Sequence, residues 1–412
     1  MSGKGLWRAS CRSLAKLVMA GVMVTSPLLA RAHVSDPVPA AAADPAADAG
    51  GTKPWWREIS TNGFLSLSYT HNLNDPIPRL NQFRVFDFND NEPQLDVAQL
   101  VIQRPIHKWN QFGFLFDLIA GSGVPEVTAA YGLFRNTRTG VAGHVDIPQM
   151  YVSYVAPVGQ GLRVDFGKFV THMGYESTPG YDGYNNHFSQ SFLFGYGIPF
   201  THTGLRVNYQ FSNQISGIFT INNGWDDFQR VNHGYTVGGQ LAVATSKTTH
   251  LAFNFLHGPE RPHDNADQTN DWEMIATWLP VSRLSLALDG LYGDQQNGVA
   301  HGQNAIWRAL TGYARFYFTN RFSLAFRGET FRDGGGTRTG TNQTLQGYTL
   351  TPSYDLPAKF SKLTPNLKKF DGTFTVRAEF RPDFSDQSVF RKGSSRPTDR
   401  QFTTAINLIY HF

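Results

Sequence analysis

From residue 163 onward, charged residues recur two apart: Arg163 with Asp165, Arg327 with Glu329 and Arg377 with Glu379. On an extended strand residues i and i+2 share a face, so each pair offers one cation and one anion to the same side. Such groups can move protons, or set an electric field along a wet wall. Bond-making chemistry is not indicated. The chain's 13 histidines include no pair at ligand spacing such as His-x-x-x-His on a helix. His172, His187, His202, His257 and His263 mostly fall at strand ends or in loops. No Ser/His/Asp constellation gathers a nucleophile, a base and an orienting group. Gly334-Gly335-Gly336 follows a strand but opens no helix, and Asp264, Asp267 and Asp271 with Asn265 and Asn270 read as a solvated outer loop. No catalytic residue, metal site or cofactor is expected.

The elements that must position those charges are strands. Phe322, Leu324 and Phe326 alternate with Ser323, Ala325 and Arg327; Phe374, Val376, Ala378 and Phe380 alternate with Thr375, Arg377, Glu379 and Arg381. The same alternation runs through Phe112–Ile119, Gly204–Phe211, Leu251–Phe255, Asp271–Trp278 and Leu284–Asp289. One face suits lipid and the other suits water. About sixteen such segments are expected, near 60–70, 93–104, 110–121, 146–157, 161–171, 199–211, 214–223, 233–246, 248–258, 270–280, 283–294, 305–319, 321–333, 342–356, 370–383 and 400–412. Connections after even-numbered segments are mostly tight and those after odd-numbered ones mostly long and polar; 357–369 is an exception. The pattern predicts an all-β fold: a transmembrane, antiparallel up-and-down β-barrel of about 16 strands with both termini in the periplasm. By alternation its inner wall carries Arg163, Asp165, Arg206, Asn208, Glu273, Asp289, Arg315, Arg327, Glu329, Arg377 and Glu379. For Arg315 and Arg327 to share that wall, the turn at Thr319-Asn320 must be odd in length or carry a bulge.

The N-terminus supports the same destination. Lys4, Arg8, Arg12 and Lys16 precede an apolar stretch from Leu17 to Leu29, and Ala30-Arg31-Ala32 offers a small-x-small cleavage pattern. The stretch is broken by Thr25, Ser26 and Pro27 and is too short to span a bilayer as a helix. Residues 1–32 are therefore read as a signal peptide, 33–58 as an Ala/Pro-rich flexible leader and 59–412 as the barrel. The leader is too short to fold as a plug, which argues against a plugged active transporter. The 36 basic and 32 acidic residues of the whole chain become 31 against 32 once Lys4, Arg8, Arg12, Lys16 and Arg31 depart. The basic balance is thus a targeting feature, and no nucleic-acid partner is expected. Cys11 leaves with the signal, so no disulfide or thiolate site remains.

The last segment puts Phe402, Thr404, Ile406, Leu408, Tyr410 and Phe412 on one face and stops at an aromatic residue. Ile406, Leu408, Tyr410 and Phe412 are read as an assembly signal for the barrel-assembly machinery. Further stretches carry a family likeness: Gly167-Lys168-Phe169-Val170-Thr171 followed by Gly174-Tyr175-Glu176, then Pro199-Phe200-Thr201-His202-Thr203-Gly204-Leu205-Arg206, and Asn223-Gly224-Trp225-Asp226. Together they resemble the β-barrel porin-2 family of outer-membrane proteins over roughly residues 60–412. The resemblance implies one porin-like barrel and carries over no binding residue. The expected function is a water-filled channel for passive diffusion of small hydrophilic solutes or ions, and not an enzyme. The runner-up is a non-conducting barrel acting as an adhesin or structural protein through its outer loops. The expected surroundings are the lipid bilayer and lipopolysaccharide of the outer membrane, and a homotrimer suits this strand count.

N-terminal sequencing of protein recovered from outer membranes tests the targeting reading. The first residue should be at or near His33; an intact Met1 contradicts it.

Overall fold

The computed structural model describes residues 54–412, apart from 107, 125–132, 137–141, 177–184, 365–367, 369–370 and 395. The stretch read from the sequence as a signal peptide, and the part read as a leader up to residue 53, lie outside the described residues.

Sixteen antiparallel strands close into a barrel. They are β1 (Ser60–Asn72), β2 (Pro93–Arg104), β3 (Phe112–Ala120), β4 (Val145–Ala156), β5 (Leu162–Val170), β6 (Thr201–Gln210), β7 (Ile215–Asn222), β8 (Thr236–Ala244), β9 (Thr249–Pro259), β10 (Gln268–Val281), β11 (Leu284–Val299), β12 (Gln303–Tyr317), β13 (Phe322–Asp333), β14 (Gln343–Ala358), β15 (Gly372–Ser385) and, last, β18 (Arg400–His411). A small hairpin of β16 (Phe390–Lys392) and β17 (Arg396–Thr398) interrupts the final loop. Closure is made by β1 on β18, with Leu67 opposite Leu408 and Tyr69 opposite Ile406. The barrel itself has no open edge, so the ladder amides of its wall find partners inside lipid.

Side-chain alternation explains why this barrel sits in a membrane. Phe112, Phe166, Phe253, Trp272, Leu310, Phe326 and Ile406 are all exposed on the outside, while Asn254, Glu273, Thr311, Arg327, Arg377 and Asn407, in phase with each other, are buried on the inside. In water the outer face would be an aggregation surface; in lipid it is solvated. No helix among the described residues is long and apolar enough to cross a membrane.

The β12–β13 pairing sets Tyr317 opposite Ser323 and Tyr313 opposite Arg327. Five residues, 318–322, separate the last pair, so an odd-length turn puts Arg315 and Arg327 on one face without a bulge. Two connections depart from the short-and-long rule. The outer link 300–302 is short because β11 and β12 run on as a long hairpin, and the link from β14 to β15 stays long, with a 3-10 turn at Phe360–Lys362.

The two sides of β18 make a direct test. Ile406 is 62 % exposed toward lipid. Asn407 faces in, accepting from Arg377 Nε and Nη2 at 3.0 and 2.7 Å and donating to Ser66 Oγ at 2.9 Å. Ile406→Lys places a charge in lipid at a cost of ~2–4 kcal/mol near mid-membrane and should abolish the heat-modifiable folded band on a gel. Asn407→Asp keeps the acceptor for Arg377 and should retain that band. Equal loss in both would mean the faces are misassigned.

Candidate functional site in the barrel interior

The longest described intrusion into the lumen belongs to the segment joining β5 to β6, residues 171–200, of which 171–176 and 185–200 are described. It leaves the wall after Val170, runs inward and returns through a single π-helical turn at Leu193–Gly197. A chain inside a barrel has left the strand ladder, so its amides need other acceptors. Carboxylates projecting from the wall supply them. Gly174 N donates to Glu273 of β10 at 2.9 Å and Tyr175 N to Asp289 of β11 at 3.1 Å. Phe188 N and Ser189 N donate to Glu379 of β15 at 2.7 and 3.1 Å, and Phe192 N to Glu329 of β13 at 2.5 Å. Within the segment, Ser191 N donates to Glu176 at 2.8 Å.

Wall arginines bind the segment's oxygens in return. Arg327 donates to Glu176 Oε1 and to the Ser189 carbonyl, each at 2.7 Å. Arg377 donates to the carbonyls of Asn185 and His187 at 2.9 and 3.0 Å. Arg381 donates to the Gln190 carbonyl at 2.6 Å, pairs with Asp383 at 2.8 Å and Glu329 at 3.2 Å, and lies 4.8 Å from the Phe192 ring. Charge-assisted bonds of this kind are short and, away from water, costly to break.

The eleven inner-wall candidates therefore separate into two groups and one residue apart from both. Glu273, Asp289, Arg327, Glu329, Arg377 and Glu379 face the lumen but are covered by the segment they hold. Arg163, Asp165, Arg206 and Asn208 form a second cluster on β5 and β6. Asp165 accepts from Arg163 at 2.8 Å, from Arg206 at 2.9 Å and from Asn208 at 3.2 Å, and Arg206 also lies 4.6 Å from the Phe169 ring. Arg315 stands apart, bound to Asn186 Oδ1 at 2.8 Å and Ser323 Oγ at 3.1 Å, with its guanidinium 4.7 Å from the Tyr317 ring.

Above this polar belt the lumen contains an apolar core. Phe192, Leu193, Phe194, Ile198 and Phe200 pack with inward-facing Leu256, Leu291, Trp307, Phe331 and Leu345. Phe83, Val85 and Phe86 of the β1–β2 loop join them, and Arg84 ties that loop to Asp383 at 2.6 Å. At one corner Arg338 lies 4.4 Å from the Trp225 ring and 5.2 Å from that of Trp307. In the loops beside it, Asp226 accepts from Phe200 N and Thr201 N at 2.7 and 2.8 Å, and Glu260 accepts from Trp225 N at 2.6 Å. Burial pushes both carboxyls up to about 7, so near neutrality they bring less than two full negative charges to Arg338.

The inner-wall candidates read from the sequence leave out Arg84, Glu176, Arg338, Arg381 and Asp383. Arg381 and Asp383 continue the phase of Arg377 and Glu379 and were legible from it. Arg84, Glu176 and Arg338 sit on loops, where no period operates. The resembling motifs fall on the tethers: Gly174, Tyr175 and Glu176 begin the inward segment, and Asp226 fixes its return. Among the histidines, His202 Nε2 is 3.1 Å from Thr171 Oγ1 and His187 Nδ1 is 2.8 Å from Thr351 Oγ1, which are packing contacts of the same segment. Of the outer acids, Asp267 pairs with Arg261 at 2.8 Å, while Asp271 is buried on β10.

The clamp predicts the effect of neutralising it. Glu329→Gln with Glu379→Gln weakens the acceptors of the Phe188, Ser189 and Phe192 amides and takes one of two acid partners from Arg327 and from Arg381, which keep Glu176 and Asp383; each weakened charged bond costs about 1.5–3 kcal/mol. Single-channel recordings should show larger and noisier steps, and the folded band should convert at lower temperature. Unchanged steps and stability would mean that these acids do not hold the segment.

A comparison of this architecture with solved structures finds the same fold at low identity. The outer-membrane channel DcaP of Acinetobacter baumannii aligns with a TM-score of 0.54 at 9% identity, over 86% of this chain and 97% of that one. An anion-selective porin from Comamonas acidovorans aligns at 0.56 and 7%, over 86% and 99%. The trimer form of OmpT from Vibrio cholerae aligns at 0.53 and 9%, over 86% and 99%. Among curated protein sequences none matches. The model of one family, "Putative beta-barrel porin-2, OmpL-like", matches residues 58–412. That span takes in every strand of the barrel together with its inward segment, and the chain belongs to this family of outer-membrane β-barrel porins.

Proposed function

We propose that this porin passes small hydrophilic solutes or ions by passive diffusion, along a water-filled path beside the 171–200 segment. The observation that carries the reading is a closed barrel whose inner wall is polar and whose inward segment is held by charge. Selectivity in such a pore comes from the charges left facing water. Arg163 keeps 22 % of its side chain exposed, while Asp165, its partner, is fully buried. Arg315 is held by amide and hydroxyl oxygens. These two arginines favour anions, and the covered pairs contribute little field. No bond-making step is assigned to the chain. Assembly is proposed to read the outward stripe Ile406, Leu408, Tyr410 and Phe412.

A homotrimer is proposed on the unequal height of the wall. Strands β5–β8 have 8–10 residues, whereas β10–β15 have 12–16. At a tilt of about 35–45°, 8–10 residues reach roughly 19–28 Å, and the shortest of them fall below the ~25 Å apolar band. The outer groove of about 510 Å³ on this low side is lined by Leu162, Val207, Phe211, Phe219 and Leu241. Another copy seated there would cover the mismatch, and the OmpT relative is known in a trimer form.

Planar-bilayer recording tests the channel. Wild-type protein should give stepwise conductance with a reversal potential on the anion side, and Arg315→Glu should move it toward cations, most clearly at low salt. Absence of steps from folded protein would favour the adhesin or structural reading. Steps with a reversal potential indifferent to Arg315 would remove that residue from the path.

A further inference from the structure

Two arginines on the outside of the barrel have no part in the channel. Arg308 of β12 and Arg332 of β13 are direct cross-strand partners. Both point outward and are exposed, because Trp307 and Ala309, and Phe331 and Asp333, are buried on the other face. The outward row of direct partners runs Phe255, Trp272, Tyr292, Arg308, Arg332 and Thr344 across β9 to β14. Trp272 and Tyr292 are the residue types that settle at headgroup level, and the Arg308 guanidinium lies 5.4 Å from the Tyr292 ring. One outward step toward the membrane centre is Leu310, 49 % exposed.

Like charges directly opposite one another destabilise a sheet. The relief visible among the described residues is Asp386, 3.7 Å from Arg332 Nη1, with the two side chains 44% and 47% exposed. A loose, exposed ion pair contributes little. The two guanidinium groups lean to opposite sides, Arg308 to the Tyr292 ring on β11 and Arg332 to Asp386 beside β14; an anion over the pair would draw both forks to it and relieve the repulsion, and phosphate matches their geometry.

A second feature lies two outward steps below. Gly312 and Gly328 are also direct cross-strand partners on the lipid side. A Cβ added at Gly312 would meet nothing nearer than a backbone oxygen at 3.9 Å, and one at Gly328 nothing nearer than 3.5 Å. Glycine weakens a strand interior and often marks a place where something else approaches the backbone. The pair leaves a shallow furrow, walled by Leu288, Phe326 and Tyr348 and separated from the arginines by the outward pair Leu310 and Thr330.

We propose that Arg308 and Arg332 bind the phosphate of an outer-leaflet lipid whose acyl chain lies in the Gly312–Gly328 furrow. The proposal rests on the membrane orientation of the barrel and not on its conductance. Cation pair and furrow lie in line, one at headgroup height and one at chain height, which suits a phosphorylated lipid better than a free anion.

The test uses folded barrels in phosphatidylcholine vesicles, with diphosphoryl lipid A as the probe. Lipid A should raise the temperature at which the wild-type folded band is lost and should remain bound in native mass spectrometry. Arg308→Gln with Arg332→Gln should bind it roughly tenfold more weakly, the loss of about 1.4 kcal/mol, with conductance unchanged. Gly312→Leu with Gly328→Leu keeps the charges, fills the furrow and should also weaken retention. Inorganic phosphate at equal phosphate concentration should give no shift. Equal retention by wild type and the arginine variant overturns the proposal, as does an equal shift with inorganic phosphate. If the glycine variant instead changes the number of subunits found on cross-linking, the furrow is a contact between copies and the lipid site is wrong. Loss of channel steps in wild-type protein would sink the conductance reading and leave this one standing.

Discussion

A polypeptide that turns into the middle of a barrel gives up its ladder partners, and the amides it carries there must be satisfied by the wall. That requirement organises the interior. Glu273, Asp289, Glu329 and Glu379 each accept from the backbone of the 171–200 segment. Around Glu329 and Glu379 the wall sets Arg327, Arg377 and Arg381, and these in turn bind the segment's carbonyls. Position of the segment, sign of the wall and spacing of charges at i and i+2 are one arrangement. Removing any single member leaves a buried partner unmatched, which costs more than the bond itself was worth.

The same arrangement explains why many of the charged residues most visible in the sequence need not be those an ion meets. A charge paired and covered contributes little field to the open lumen. Arg163 and Arg315 keep contact with water and carry the proposed selectivity. The apolar core above the belt, built from Phe194, Phe200, Trp307, Phe331 and their neighbours, narrows the outer half by packing and needs no charge to do so.

Most of the barrel was legible because lipid outside and polar groups inside impose a period of two on every strand. The β13 and β15 alternations placed Arg327, Glu329, Arg377 and Glu379 on the inner face from residue order alone. The inward segment was less legible, since no period governs an irregular chain and its amide donors have no sequence signature. One trace was present: Leu291, Trp307, Phe331 and Leu345 are apolar residues on the face that should be wet. Apolar groups there require something apolar to cover them from inside. The family-like stretches at 174–176 and 223–226 carried the rest of the signal, as they fix where the segment enters and where its return is tied.

Hydrogen exchange of backbone amides in the folded barrel tests this account at its centre. In detergent micelles, the amides of Gly174, Tyr175, Ser189, Ser191 and Phe192 should be protected nearly as well as those of β13 and β15, because each is bound to a buried carboxylate. Exchange of these amides at the rate of a free loop, with the strands still protected, would show that the wall does not hold the segment.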